Sequence, residues 1–185
     1  MTEALNLQSR VTLSDGNTMP LFGLGVWAAN PGQETQDAVS CALEVGYRHI
    51  DTASMYGNEQ DVGSALNACG VPRNEIFVTT KVWETEQGYE PTLRAFGQSQ
   101  QKLGLEFVDL YLIHWPVEGQ RVDTWQALER LQNEGRVKSI GVSNFSPNHL
   151  QEIFESGKQR PTVNQIELSP FLQQRTIADF TRSAG

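Results

Sequence analysis

Cysteine is scarce in this 185-residue chain, with Cys41 and Cys69 as the only two. They share no metal-ligand spacing, and Cys41, in a small-residue helical stretch, reads as a buried free thiol. Histidine is scarce as well: His49, His114 and His149 form no H-x-H or H-x-x-x-H pair, so no metal site is expected. Basic runs are missing and the net charge is -8, which argues against a nucleic-acid surface. No apolar run approaches the roughly 20 residues of a membrane span. The first ten residues, MTEALNLQSR, contain no apolar core of signal-peptide length. These absences together lead us to expect a reducing, cytoplasmic setting without membrane or nucleic-acid partners.

What is present is a repeated alternation. VTLSDGNTMP (11–20) holds Asp-Gly between two short extended pieces and predicts a hairpin ahead of the main body. Strand-like runs then cover 21–27, 47–53, 76–83, 107–115, 137–144 and 161–167, with a helical pattern after each. Ser146-Pro147 has the form of an N-cap followed by a first-turn proline. Gly46, Gly70, Gly104, Gly135 and Gly157 each stand where a helix would end on a left-handed residue. The strands are near-continuous apolar runs, as in sheets covered on both faces. Strand and helix in alternation predict an α/β fold with a parallel sheet and right-handed crossovers. No composition break marks a second domain, so residues 1–185 read as a single domain.

Side chains alternate across a strand. One parity places Asp51, Lys81, His114, Ser143 and Gln165 on the same inward face, near the carboxyl ends of successive strands. Tyr56 lies on the loop above, in the segment HIDTASMYGNE. These residue types suit one chemistry. A phenol titrates near ~10 and is a poor acid at neutral pH. A nearby ammonium such as Lys81 is expected to lower that value, and Asp51 would supply the counter-charge that a buried ammonium needs. His114 would orient a carbonyl oxygen beside the phenol. The set suits proton donation to a carbonyl that is receiving hydride. No side chain donates hydride, so a cofactor is required. Asn144 and Gln165 are amides placed to hold a carboxamide, with Ser143 assisting. His49 and His149 read as structural.

HIDTASMYGNE, TTKVW, LYLIHWP, SIGVSNF and VNQIELSP, in this order and with the earlier GLGVW, resemble the aldo-keto reductases. The likeness runs over nearly the whole chain, and is greatest to bacterial 2,5-diketo-D-gluconate reductases and glyoxal or methylglyoxal reductases. The resemblance implies a (β/α)8 TIM barrel, of which six strand–helix units are present. It also implies that Tyr56 is the proton donor and that Asp51, Lys81 and His114 complete the catalytic tetrad. Ser143, Asn144 and Gln165 would contact nicotinamide, and Trp27, Trp83 and Trp115 would wall the substrate pocket. The family's cofactor is NADPH, usually in preference to NADH. The implied substrates are small aldehydes, 2-oxoaldehydes or diketo sugar acids.

Two other patterns are rejected. GLGVWA (23–28) matches a dinucleotide fingerprint, but Asn30-Pro31-Gly32 separates it from the next helix. GVSNF lacks the final glycine of a nucleophile elbow. The resemblance further implies two more strand–helix units, carrying an aromatic that stacks on nicotinamide, basic residues for the 2'-phosphate and a selectivity loop. A six-strand barrel exposes two edges, where self-association is expected. The first reading is therefore an NADPH-dependent carbonyl reductase whose full activity belongs to a longer chain. The alternative is a catalytically impaired, truncated paralogue that acts as a binding or oligomerisation module. The lysine–carboxylate pair favours the first and the length favours the second.

Overall fold

The computed structural model describes residues 4–184. Its centre is a six-stranded, all-parallel sheet in sequential order: β3 (Leu24–Gly25), β4 (His49–Asp51), β5 (Phe77–Val82), β6 (Val108–Ile113), β7 (Val137–Ser143) and β8 (Asn164–Gln165). Each strand leads to a helix: α1 (Gln33–Glu44), α2 (Glu59–Ala68), α3 (Tyr89–Leu103), α4 (Arg121–Asn133), α5 (Pro147–Ser156) and α6 (Arg175–Ala184). Strands paired in chain order, each followed by a helix, build a partial barrel, six units of the eight that close a (β/α)8 fold. Among the described residues, no helix is long and apolar enough to cross a membrane.

The register determines which side chains face the interior. Asp51 pairs with Thr79, Thr79 with Leu110, and Leu110 with Ser139. One step up, Lys81 pairs with Leu112 and Leu112 with Gly141, while Ser143 pairs with Gln165. The inward parity read from the sequence is therefore the observed one. Phe77, Leu110 and Leu112 form a small interior cluster. The opposite faces, including Ile50, Val78, Val82, Tyr111, Ile113, Ile140 and Val142, are buried with the helices in the main core. This double burial explains why the central strands read as unbroken apolar runs.

At the amino-terminal end of the sheet, β1 (Arg10–Thr12) and β2 (Thr18–Pro20) form an antiparallel hairpin. Asp15 Oδ1 accepts the Asn17 amide at 3.0 Å, with Gly16 at φ 87. The hairpin closes this end. Met19 packs on the interior cluster, and Asn17 Nδ2 donates to Lys138 O and Ser139 Oγ at 3.2 and 3.1 Å.

Three expectations change. Strands β3, β4 and β8 are much shorter than the expected 21–27, 47–53 and 161–167; β3 and β8 each have only one paired neighbour. Cys41 is exposed on α1, since the buried stripe of that helix runs through Thr35, Val39, Ala42 and Leu43. Gly157 ends α5 at φ -86, not in the left-handed region. A Cβ there would stand 2.6 Å from Trp125 Nε1, so close packing, not φ, requires glycine. Ser146 does cap α5 by accepting the His149 amide at 3.4 Å, and His149 Nδ1 accepts the Ser146 amide in return at 3.3 Å.

Candidate active site

The carboxyl ends of the strands converge on a cavity of about 470 Å³ lined by Trp27, Met55, Tyr56, Trp83, His114, Trp115, Ser143, Asn144, Gln165, Ile166 and Glu167. Asp51 ends β4, Ser143 ends β7 and Gln165 ends β8, while His114 directly follows β6. Lys81 sits one residue before the end of β5. Tyr56 closes a short 3-10 turn, Ser54–Tyr56, that follows β4. All ten residues singled out in the sequence thus lie in or directly beneath one cavity.

Lys81 is 1% exposed. Its three N–H groups all find oxygen: Asp51 Oδ1 at 2.5 Å, Thr52 O at 2.9 Å and Tyr56 Oη at 3.4 Å. Burial pushes the Lys81 ammonium toward its neutral form, and the Asp51 carboxylate opposes that shift. An unpaired ammonium in this position would be strongly disfavoured.

The expected effect of Lys81 on Tyr56 is not observed. Burial raises the Tyr56 phenol to about 12, and the Asp51 charge adds to the rise. Burial is the larger cause, and the distances show why Lys81 does not offset it. The ammonium is committed to Asp51 at 2.5 Å, while its contact with the phenol oxygen is long, at 3.4 Å. Tyr56 is therefore a neutral phenol at neutral pH, which is the form that holds a proton to give. His114 is lowered to about 4 by burial and by the Lys81 charge, so its imidazole is neutral as well. Its ring meets Tyr56 edge-on at 5.5 Å and Trp83 at 5.1 Å between centroids. Its Nδ1 is buried without a partner.

The opposite wall is built from amides. Asn144, in the left-handed region at φ 63, donates its side-chain N–H groups to His114 O and Ser143 Oγ, both at 3.0 Å. Ser143 Oγ donates to Gln165 O at 3.0 Å. Gln165 Nε2 reaches across the barrel to Asp51 Oδ2 at 2.9 Å. Two primary amides and a hydroxyl on one cavity wall match the donor and acceptor needs of a carboxamide, so the residues present fit a nicotinamide.

Three tryptophans wall the mouth, Trp27 and Trp115 with large exposed surfaces. Met55 and Ile166 complete the lining, as does Glu167, which the inward parity includes but which drew no role. The two aliphatic side chains left no sequence signal, because nothing distinguishes them from ordinary loop residues. Polar straps tie the rim loops together: Ser54 Oγ donates to Glu86 Oε2 at 2.7 Å, and Gln87 Nε2 to Trp115 O at 2.6 Å. Among the described residues no cluster of His, Cys, Asp and Glu could hold a metal.

This site can be compared with known proteins. The family model described as "Aldo/keto reductase family" matches residues 21–185. A 9,11-endoperoxide prostaglandin H2 reductase of Trypanosoma cruzi is 58% identical over 93% of this chain and 61% of its own length. A glyoxal reductase of Bacillus subtilis is 46% identical, with 97% of this chain and 65% of its own length covered. An aldo/keto reductase structure from Brucella melitensis superposes with a TM-score of 0.92 at 49% identity, covering 95% of this chain and 69% of that one. A Bombyx mori aldo-keto reductase in complex with NADP superposes at 0.88 with 35% identity, over 96% and 64%. The chain spans about three fifths to two thirds of the length of these curated relatives. Sequence motifs, fold and family match agree: the chain belongs to the aldo/keto reductase family.

Proposed function

We propose that this chain carries the catalytic face of an NADPH-dependent carbonyl reductase acting on small aldehydes, 2-oxoaldehydes or diketo sugar acids. The observation that carries the reading is a neutral phenol, Tyr56, set 3.4 Å from a buried ammonium and opening on a cavity. A nicotinamide, when bound, would supply the hydride that no side chain can provide. Asn144, Ser143 and Gln165 would hold its carboxamide. His114, neutral and donating from its cavity-side nitrogen, orients the carbonyl oxygen. Tyr56 gives its proton to that oxygen as negative charge builds there, which completes an alcohol. An alcohol is a weaker acid than a phenol, so the transfer runs downhill. Lys81 then faces a phenolate, and its charge, balanced by Asp51, stabilises that product.

The comparisons support the reading in two ways. Named relatives include a glyoxal reductase and, at 51% identity, a methylglyoxal reductase of Yersinia pestis. The Bombyx mori structure holds NADP. Tyr56→Phe, made in the intact protein, tests the role directly. NADPH oxidation with methylglyoxal is expected to stop while NADPH still quenches tryptophan fluorescence. Undiminished turnover would remove Tyr56 from the mechanism.

A further inference from the structure

Two residues just beyond Tyr56 and Gly57 hold polar groups that the proposed chemistry does not use. Asn58 is fully buried and Glu59 is 1% exposed. Asn58 precedes α2 at its N-cap, where asparagine ordinarily accepts a backbone N–H of its own helix. It makes no such bond. Glu59 opens α2, where an acid ordinarily favours the helix dipole from the surface. It points inward instead, with Oε2 buried, making no hydrogen bond but lying 3.7 Å from Lys102 Nζ on α3.

Both side chains are committed to β5 and to the segments that follow β3 and β4. Thr52 Oγ1 donates to Asn58 Oδ1 at 2.8 Å. Asn58 Nδ2 donates to Val26 O at 3.0 Å and Ala29 O at 3.4 Å. Thr80 Oγ1 donates to Glu59 Oε1 at 2.6 Å. Each partner borders a site residue. Thr52 follows Asp51 and offers its own carbonyl to Lys81. Thr80 precedes Lys81. Val26 and Ala29 bracket Trp27 and Ala28, the latter held at φ 65. Three strand ends, β3, β4 and β5, are thus referenced to the two residues that follow the Tyr56 turn.

We propose that Asn58 and Glu59 are positioning residues whose buried hydrogen bonds set the Tyr56 hydroxyl against Lys81 and fix the Trp27 loop. The proposal rests on the carbonyl-reductase reading for its kinetic consequence but not for its geometry. Without the hub, Gly57, at φ 71, is the only residue between Tyr56 and a helix start that keeps its apolar packing on the core but loses its hydrogen bonds to the strand ends. The phenol then moves outward into water, away from the ammonium. Displacement of about 1 Å in such a site lowers turnover by about 100-fold.

The test uses the intact protein. Asn58→Ala cuts every bond of the amide. Thr52→Val and Thr80→Val each remove one hydroxyl at nearly constant volume, and carry the test if Asn58→Ala does not fold. Each folded variant is expected to lose about 10–100-fold in kcat with KM changed by less than about twofold, the pattern of a misplaced proton donor. Glu59→Gln, which keeps an acceptor for Thr80, should recover most of the turnover lost in Glu59→Ala. A second readout needs no activity. With difluorotyrosine introduced at position 56, fluorine NMR follows the phenol titration. The hub variants should titrate closer to the free amino acid than the parent does, because Tyr56 becomes more hydrated. Folded variants with parental kcat and parental titration would overturn the proposal. If the parent itself reduces no carbonyl, the carbonyl-reductase reading fails alone, and the titration still decides whether the hub positions Tyr56.

Discussion

The two ends of the sheet each hold a carboxylate paired with cationic side chains, Asp109 with two and Asp51 with one, and they are built differently. At the amino-terminal end, Asp109 is 3% exposed. Its Oδ2 accepts from Arg73 Nη2 at 2.6 Å and the Val78 amide at 3.0 Å, and its Oδ1 from Lys138 Nζ at 2.9 Å. Both cations also lie over the Phe107 ring, at 4.4 and 4.1 Å from its centroid. At the carboxyl-terminal end, Asp51 meets one side-chain cation, Lys81, whose third N–H faces a phenol with a proton of its own. In the first cluster both carboxylate oxygens are held by permanent cations, and among the described residues no phenol, thiol or imidazole shares them. The second leaves a titratable group between an ammonium and a cavity. Both are ion clusters on one sheet, so an ion pair alone says little about function. What separates them is an ionisable neighbour, Tyr56, that the pair can stabilise after it loses a proton.

Breaking each cluster should expose this difference. The largest effect is expected from Asp51→Asn, which keeps the shape but leaves Lys81 buried without its counter-charge. Turnover should fall by about 1,000-fold or more, since the proton donor loses the charge arrangement behind it. Urea unfolding should show a loss of about 3–5 kcal/mol as well. Asp109→Asn should cost a similar few kcal/mol in the same unfolding experiment, yet leave kcat/KM within about twofold. A large activity loss in Asp109→Asn would dissolve the contrast.

The smallest effect is a pH slope. His114 titrates at about 4 in the fold, against 6.5 for the free side chain. The unfolded chain therefore binds more protons than the native one between these values, and stability falls as pH drops from 6.5 toward 4. His49, lowered mainly by burial, acts in the same direction. Denaturation midpoints across this window should shift less steeply in His114→Gln, and an unchanged slope would remove His114 from the account.

Much of this was legible in the sequence because the relevant rules are local or periodic. Alternation along β5 and β6 puts Lys81 and His114 on the face shared with Asp51. Helix ends at Gly46, Gly70, Gly104 and Gly135 show the left-handed φ that glycine permits. What was not legible depends on distances between segments far apart in the chain. The raised phenol of Tyr56 follows from its burial and from the Asp51 charge across the fold, which no motif encodes. Gly157 looked like the other helix ends, but its requirement comes from Trp125, on another helix. Asn58 carried a cap signature and Glu59 an ordinary first-turn acid. Their partners lie 6 to 32 residues away, so the hub emerges only once the strands are side by side.

The central claim is that Tyr56 and Lys81 act as one unit, and a double-mutant cycle on turnover tests it most directly. Lys81→Met and Tyr56→Phe are each expected to lower kcat severely. If the ammonium acts only through the phenol, the double variant will be no slower than the slower single variant. Losses that multiply in the double variant would show that the two residues act independently, and would contradict this account.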